Sequence, residues 1–105
     1  MERSELISSK EYWLAKLQTQ LFEAVEDYIK NNKLNRGKFA TKIGVSKGYV
    51  SQVLNGDYDH RLSKFIELSL SVGKVPSIEF KDLNEFIKID ATKFVQEDII
   101  EKIAE

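Results

Sequence analysis

The sequence predicts a mainly α-helical protein: a bundle of four to five helices, followed by a small C-terminal β-hairpin and a terminal helix. Three observations predict this fold class. Apolar residues recur at three- and four-residue spacing along residues 8–31. Residues 36–56 contain two short helical patterns joined by a tight turn. After Gly73 and Pro76, which end the helical part, apolar and polar residues alternate.

The segment 36–56, which reads RGKFATKIGVSKGYVSQVLNG, is the most informative part of the chain. Ala40 is small, so two helices can cross closely beside it. Gly44 can adopt the positive φ that ends a helix. The hydroxyl of Ser46 can cap the helix that follows. This combination predicts a helix-turn-helix.

The same segment separates into two faces. Its apolar side chains suit one shared core; they are Phe39, Ile43, Val45, Val50, Val53 and Leu54. The later of the two helices in this segment has an outward set of small, polar, aromatic or basic residues, namely Lys47, Gly48, Tyr49, Ser51, Gln52 and Asn55. Because this face carries no acid, it suits the major groove of DNA.

The other helices follow from capping and periodicity. Ser8 or Ser9 is predicted to cap a first helix that runs to about residue 31. Asn35 is predicted to cap the second helix, in which Gly37 lowers helix propensity and allows a close approach of the backbone. A fourth helix is predicted over residues 62–72. Its inward residues are predicted to be Leu62, Phe65, Ile66, Leu68, Ser69 and Val72.

The C-terminal part is predicted to differ in character. Residues 77–80 and 85–89 are predicted to form the hairpin, and Asp90 to cap the last helix. The predicted domains are a helical domain over residues 1–75 and an extension over residues 76–105. The last helix has an apolar stripe that is predicted to form a dimer seam or to pack on the first helix. The stripe consists of Phe94, Val95, Ile99 and Ile103.

Charge is distributed unevenly along the chain. The net charge is −1, yet residues 1–30 carry −2, residues 31–75 carry +5 and residues 76–105 carry −4. Between Asp27 and Asp57 there is no acidic residue. A local positive field of this kind attracts polyanions even when the whole protein is nearly neutral.

The motif resembles the Cro/phage-repressor (XRE-type) helix-turn-helix family. The resemblance lies in Phe39-Ala40, Ile43-Gly44-Val45-Ser46, Tyr49 to Gly56 and the following helix from Leu62 to Leu70. It implies a lambda-repressor-like bundle that binds double-stranded DNA. It also implies a phosphate contact at the start of the second helix, where Arg36 replaces the glutamine that is frequent there.

The resemblance and the side-chain chemistry together give a set of expected DNA contacts. Base contacts are expected from Ser46, Lys47, Gly48, Ser51 and Gln52. Phosphate contacts are expected from Arg36, Lys38, Tyr49, Asn55, His60 and Arg61. Gly48 departs from the family pattern because it has no side chain to read a base, which lowers the direct readout expected there.

Catalysis and metal binding find little support in the residues. The chain has no cysteine, a single histidine and no Walker-type phosphate loop. The sequence therefore predicts neither an enzyme nor a metal or cofactor site. With no signal-peptide pattern and no apolar run of membrane-spanning length, it predicts a cytoplasmic protein.

Three functions remain open from the sequence. The first is a DNA-binding transcription regulator, most simply a repressor that binds as a homodimer to two half-sites. The second is an antitoxin that represses its own operon and whose acidic C-terminal third binds a toxin protein. The third is a protein-interaction module that uses a helix-turn-helix without DNA.

Overall fold

The computed structural model describes residues 2–55, residue 59 and residues 61–104, with side chains described up to residue 93. The described chain is mainly helical, as predicted, and contains six helices. They are α1 (Arg3–Ile7), α2 (Lys10–Asn31), α3 (Arg36–Ile43), α4 (Lys47–Asn55), α5 (Leu62–Ser71) and α6 (Leu83–Ala104). None of the helices within these residues combines the length and apolar composition needed to cross a membrane.

The chain forms two compact units. One contains residues 10–77 and hence α2 to α5, and the other contains residues 1–9 and 78–105 and hence α1 and α6. In the α2–α5 unit, α4 packs against α2 and α3, and α5 packs against α2. The buried core of this unit is Leu21, Val25, Ile29, Phe39, Ala40, Val50, Val53, Leu54, Leu68 and Val72.

Helix α2 supplies one wall of this core through a four-residue repeat. Leu21, Val25 and Ile29 are buried along one face of the helix, as the apolar periodicity predicts. The helix ends in a left-handed turn at Lys33, whose φ is 53°. The next amide, of Leu34, donates to the carbonyl of Ile29 at 2.9 Å, and its side chain packs against the core. Leu34 is thus the apolar anchor between α2 and α3.

Helix α5 ends as predicted, but fewer of its apolar side chains are buried than predicted. Gly73 has a φ of 75°, and the amide of Lys74 donates to the Ser69 carbonyl at 2.9 Å, which closes the helix in a left-handed cap. Leu62 and Ile66, predicted to point inward, are 62% and 40% exposed. Ile66 lies about 100° around the helix from Phe65, away from the buried row, and Leu62 lies at the exposed start of the helix.

The predicted C-terminal hairpin is not formed in the described residues. Residues 77–80 have no regular secondary structure, and residues 85–89 lie inside α6. The reason is a strong helix start: the side chain of Asp82 accepts from the amide of Glu85 at 3.1 Å, and Glu85 places an acid in the first turn. This Asp-x-x-Glu start favours a helix over the weak strand pattern of residues 85–89.

The prediction that Asp90 caps the last helix is also wrong. It lies within α6, and its carboxylate accepts from Arg3 of α1, with Nε–Oδ2 and Nη2–Oδ1 distances of 2.6 and 3.0 Å. The pair is bidentate, the stronger form of an arginine–carboxylate contact. The helix continues through the predicted stripe of Phe94, Val95, Ile99 and Ile103, whose side chains lie outside the described residues.

Candidate nucleic-acid interface

The turn between α3 and α4 has the backbone geometry that the sequence predicts. Gly44 ends α3 with a φ of 76° and a ψ of 34°, in the left-handed region that favours glycine. The amide of Gly44 donates to the Thr41 carbonyl at 3.3 Å, and the amide of Val45 donates to the Ala40 carbonyl at 2.9 Å. These two bonds satisfy carbonyls at the end of α3 and fix the direction in which α4 begins.

Burial of one face of each helix fixes how α3 and α4 pack together. Phe39 and Ala40 of α3 are buried, as are Val50, Val53 and Leu54 of α4. Burying a side chain the size of valine or leucine contributes about 1.5–3 kcal/mol. The small Ala40 is buried among these larger side chains.

Both helices begin with a side-chain cap. The Oδ1 atom of Asn35 accepts from the amide of Lys38 at 2.8 Å. The Oγ atom of Ser46 accepts from the amide of Tyr49 at 3.0 Å. Both caps were predicted. A serine hydroxyl that accepts one bond still has a hydrogen to donate, so the cap is compatible with the base contact expected of Ser46.

The exposed face of α4 lies opposite its buried face. Gly48, Gln52 and Asn55 are exposed and follow one another at four- and three-residue spacing, which places them on one side of the helix. A Cβ atom added to Gly48 would meet only the Ser46 Oγ, at 3.9 Å. Gly48 is therefore an open position on this face, which we call the α4 polar face (Lys47, Gly48, Ser51, Gln52 and Asn55).

Two expected contact residues are less accessible than their neighbours. Ser51 is half-buried. Tyr49 is also half-buried and packs against the core, next to a shallow groove that it lines together with Val45 and Leu68. The core therefore holds part of the Tyr49 side chain.

Cations lie at the start of α3 and α4. Arg36, Lys38 and Lys47 are exposed, and no described carboxylate forms an ion pair with any of them. A Cβ atom on Gly37 would lie 4.0 Å from Cδ of Lys47. The first turn of α3 is thus adjacent to the lysine that opens α4, which brings the predicted phosphate and base contacts together.

The remaining basic residues considered in the sequence lie away from the starts of α3 and α4 or outside the described residues. Arg61 is exposed at the start of α5. His60 lies outside the described residues. Lys42, part of the basic segment, has its Nζ 5.2 Å from the ring centroid of Tyr28, which in turn contacts Phe39 with centroids 5.7 Å apart. This cation–π contact depends on the packing of α2 against α3, and nothing in the local sequence indicates it.

The side chains of the site carry amide, hydroxyl and cationic groups. Among the described residues there is no group of three or more His, Cys, Asp or Glu that could hold a metal ion. Comparison of the chain with protein-family models, curated proteins and solved structures found no match.

Proposed function

We propose that the chain is a sequence-specific DNA-binding transcription regulator of lambda-repressor-like fold, a repressor that binds as a dimer with α4 in the major groove. The observation that carries the proposal is the α4 polar face, which is exposed except at the half-buried Ser51, free of acids and bordered by cations without described carboxylate partners. Such a face leaves amide, ammonium and hydroxyl groups available to base edges.

Base readout is assigned to two long side chains. Gln52 can form a bidentate pair with N6 and N7 of adenine, and Lys47 can donate to O6 and N7 of guanine. Between them on the helix surface lies Gly48, where the absence of a side chain lets the backbone approach the bases. Each good bidentate pair contributes about 1–3 kcal/mol of discrimination between base pairs.

Phosphate binding is assigned to the starts of α3 and α4. Arg36 and Lys38 carry the charge, and neither helix has an acid in its first turn. Each helix start also bears the positive end of the helix dipole and amides that its single cap does not satisfy. These groups bind phosphate oxygens without regard to sequence, so they position α4 rather than specify bases.

Salt-titrated binding to a random 20-base-pair duplex tests the proposal. Three cationic phosphate contacts per copy, expected from Arg36, Lys38 and Arg61, predict a slope of about −2.7 for log affinity against log salt for one bound copy, or about 40-fold weaker binding at 200 mM than at 50 mM. Arg36→Gln and Lys38→Gln each remove one phosphate contact and are each expected to reduce the magnitude of this slope by about one. Lys88→Gln removes the same charge from α6 and serves as the matched control.

Two results would contradict DNA binding. Affinity that does not change with salt would remove the electrostatic term on which the proposal depends. Equal slopes for Arg36→Gln, Lys38→Gln and Lys88→Gln would show that the basic border of α4 is not where the duplex binds. Either result would favour the protein-interaction module instead.

The antitoxin function is a second candidate because of one feature, the −4 charge of residues 76–105 beside a segment of +5. An acidic extension suits a basic protein partner. Co-expression with a small basic protein encoded by the adjacent gene tests it. A stable complex that is lost when residues 76–105 are deleted is the expected result, and the absence of a complex contradicts it.

A further inference from the structure

Lys33, between α2 and α3, has a backbone conformation that lysine rarely adopts. Its φ of 53° lies in the left-handed region, where a side chain is strained and glycine is not. Among the described residues it is the only one other than glycine with a positive φ. A strained residue of this kind points to a role that offsets its cost.

The fold explains the conformation of this residue but not the choice of lysine. The amide of Leu34 donates to the Ile29 carbonyl at 2.9 Å. The amide of Lys33 donates to the Lys30 carbonyl at 3.2 Å. These bonds close α2 in a left-handed cap, so any residue at position 33 has to adopt the conformation. Glycine or asparagine would do so at lower cost, yet Asn32 stands one position earlier.

The surroundings of Lys33 favour an anionic partner. Its side chain is exposed, and no described carboxylate forms an ion pair with it. Because no acidic residue occurs between Asp27 and Asp57, its charge adds to the positive field of residues 31–75 without a neighbour in sequence to neutralise it.

Lys33 also lies directly before the start of α3, to which phosphate binding is assigned. The side chain of Leu34 packs against the core, whereas Lys33 and Asn35 on either side of it are exposed. Three residues of chain span at most about 11 Å, so Lys33 lies close to Arg36. Phosphates follow one another about every 3.4 Å along each strand of a duplex, and a cation this close to Arg36 can therefore reach a neighbouring phosphate.

We propose that Lys33 binds a phosphate of the DNA backbone next to the one bound by Arg36, and that this contact is the reason for a lysine at a position that favours glycine. The inference rests on the proposed function and extends its interface to the end of α2. With a fourth cationic contact, the salt slope of the wild-type chain becomes about −3.6 instead of −2.7 for one bound copy. That slope corresponds to about 150-fold weaker binding at 200 mM than at 50 mM salt.

The helix dipole gives the same charge a purely structural role. A cation at the C-terminal end of α2 interacts favourably with the carbonyl groups there, although Lys30 in the last turn already supplies one. The two roles predict different results. A dipole interaction contributes to stability and leaves the salt dependence of DNA binding unchanged, whereas a phosphate contact changes the salt dependence.

Substitution of Lys33 separates its charge from its strain, measured by salt-titrated binding to the random duplex and by thermal unfolding. Lys33→Gln removes the charge and keeps a side chain in the left-handed conformation. The magnitude of the slope should fall by about one, with little change in melting temperature. Lys33→Gly removes the charge and relieves the strain, so the slope should fall equally while the melting temperature rises by about 4–8 °C.

Two control variants accompany these substitutions. Lys33→Arg keeps the charge and should keep the wild-type slope. Lys10→Gln removes the same charge from an exposed position at the other end of α2, about 30 Å along the helix. At that separation salt screens the charge from a duplex bound at α3 and α4, so this variant should also keep the wild-type slope.

Neutral phosphates locate the contact on the DNA. In a duplex that carries a selected binding site, methylphosphonate replaces one phosphate at a time. One replacement is expected to weaken binding of the wild type several-fold and to have no effect on Lys33→Gln, because the cation that binds this phosphate is already removed. Replacement of the phosphate bound by Arg36 should weaken both proteins.

The contact is overturned if Lys33→Gln and Lys10→Gln have equal slopes, if Lys33→Gly melts no higher than Lys33→Gln, or if no neutral phosphate distinguishes Lys33→Gln from the wild type. A lower melting temperature of Lys33→Gln with an unchanged slope would assign the residue to the dipole of α2 instead. When Arg36→Gln lowers the slope and Lys33→Gln does not, only the inference about Lys33 fails. When neither does, the proposed function fails as well.

Discussion

Gly48 is the residue at which the demands of folding stability and of the proposed DNA binding differ most clearly. It lies in the first turn of α4, has no positive φ, and faces open space apart from Ser46 Oγ. Nothing in the described fold requires a glycine there. A glycine that lowers helix propensity without a structural reason is better explained by a binding partner, here DNA, that must approach the backbone closely.

Replacing Gly48 by alanine is therefore expected to stabilise the protein by about 0.5–1 kcal/mol while weakening its binding to DNA. Thermal unfolding and duplex binding measure the two effects separately. Gly44→Ala provides the contrast, since its φ of 76° disfavours any side chain and the variant is expected to lose about 1 kcal/mol. If Gly48→Ala leaves affinity unchanged, close approach at this position is wrong.

Gln52 is the residue expected to carry sequence discrimination. It is exposed on the α4 polar face, so Gln52→Ala should leave the melting temperature unchanged. It should reduce the preference for a selected site over a random duplex by about 5- to 150-fold, equivalent to about 1–3 kcal/mol. Gln20→Ala, on an exposed position of α2, is the matched control. An equal loss of affinity for the selected site and for the random duplex would mean that Gln52 contacts the DNA backbone instead of a base.

At the scale of the element, the two caps define where α3 and α4 begin. Because each cap satisfies an amide that the helix leaves unpaired, it contributes to stability independently of DNA. The caps also set which residues occupy the first turn, and so which side chains reach the edge of the α4 polar face.

Ser46→Ala removes the cap of α4 and is expected to cost about 1 kcal/mol, or about 4–8 °C in melting temperature for a domain of this size. Ser63→Ala, an exposed serine in the first turn of α5, should change little. Urea unfolding of both variants and of Ser46→Thr, which keeps the hydroxyl, measures the difference. Equal stability of Ser46→Ala and Ser63→Ala would mean that the cap contributes nothing.

The elements that the sequence predicts well are those with local signals. Asn35, Gly44 and Ser46 act through backbone groups no more than four residues away, so their roles follow from residue type and spacing. Gly73 ended α5 as predicted for the same reason. The polar face of α4 was predicted because its buried and exposed residues keep the helical period without interruption.

The elements that the sequence predicts poorly depend on competing or distant interactions. Residues 85–89 alternate like a strand, but the helix start at Asp82 and Glu85 prevails. The contact of Asp90 with Arg3 joins residues far apart in sequence. The placement of Lys42 over Tyr28 depends on how α2 and α3 pack. No local pattern encodes these contacts.

At the scale of the whole molecule, the distribution of charge matters more than its sum. A protein of net charge −1 has no general affinity for a polyanion, so any binding to DNA has to come from the local field of residues 31–75. Duplex should therefore bind at one region of the chain, and the acidic C-terminal residues should stay out of contact with it.

Amide chemical-shift mapping of the full chain during titration with a duplex locates the bound DNA residue by residue. The largest shifts are expected at residues 36–38, 46–52 and 55, with little change at residues 83–93. They should disappear at high salt. Shifts concentrated in α6, or an α4 polar face unaffected at saturating duplex, would contradict the binding of DNA by α4.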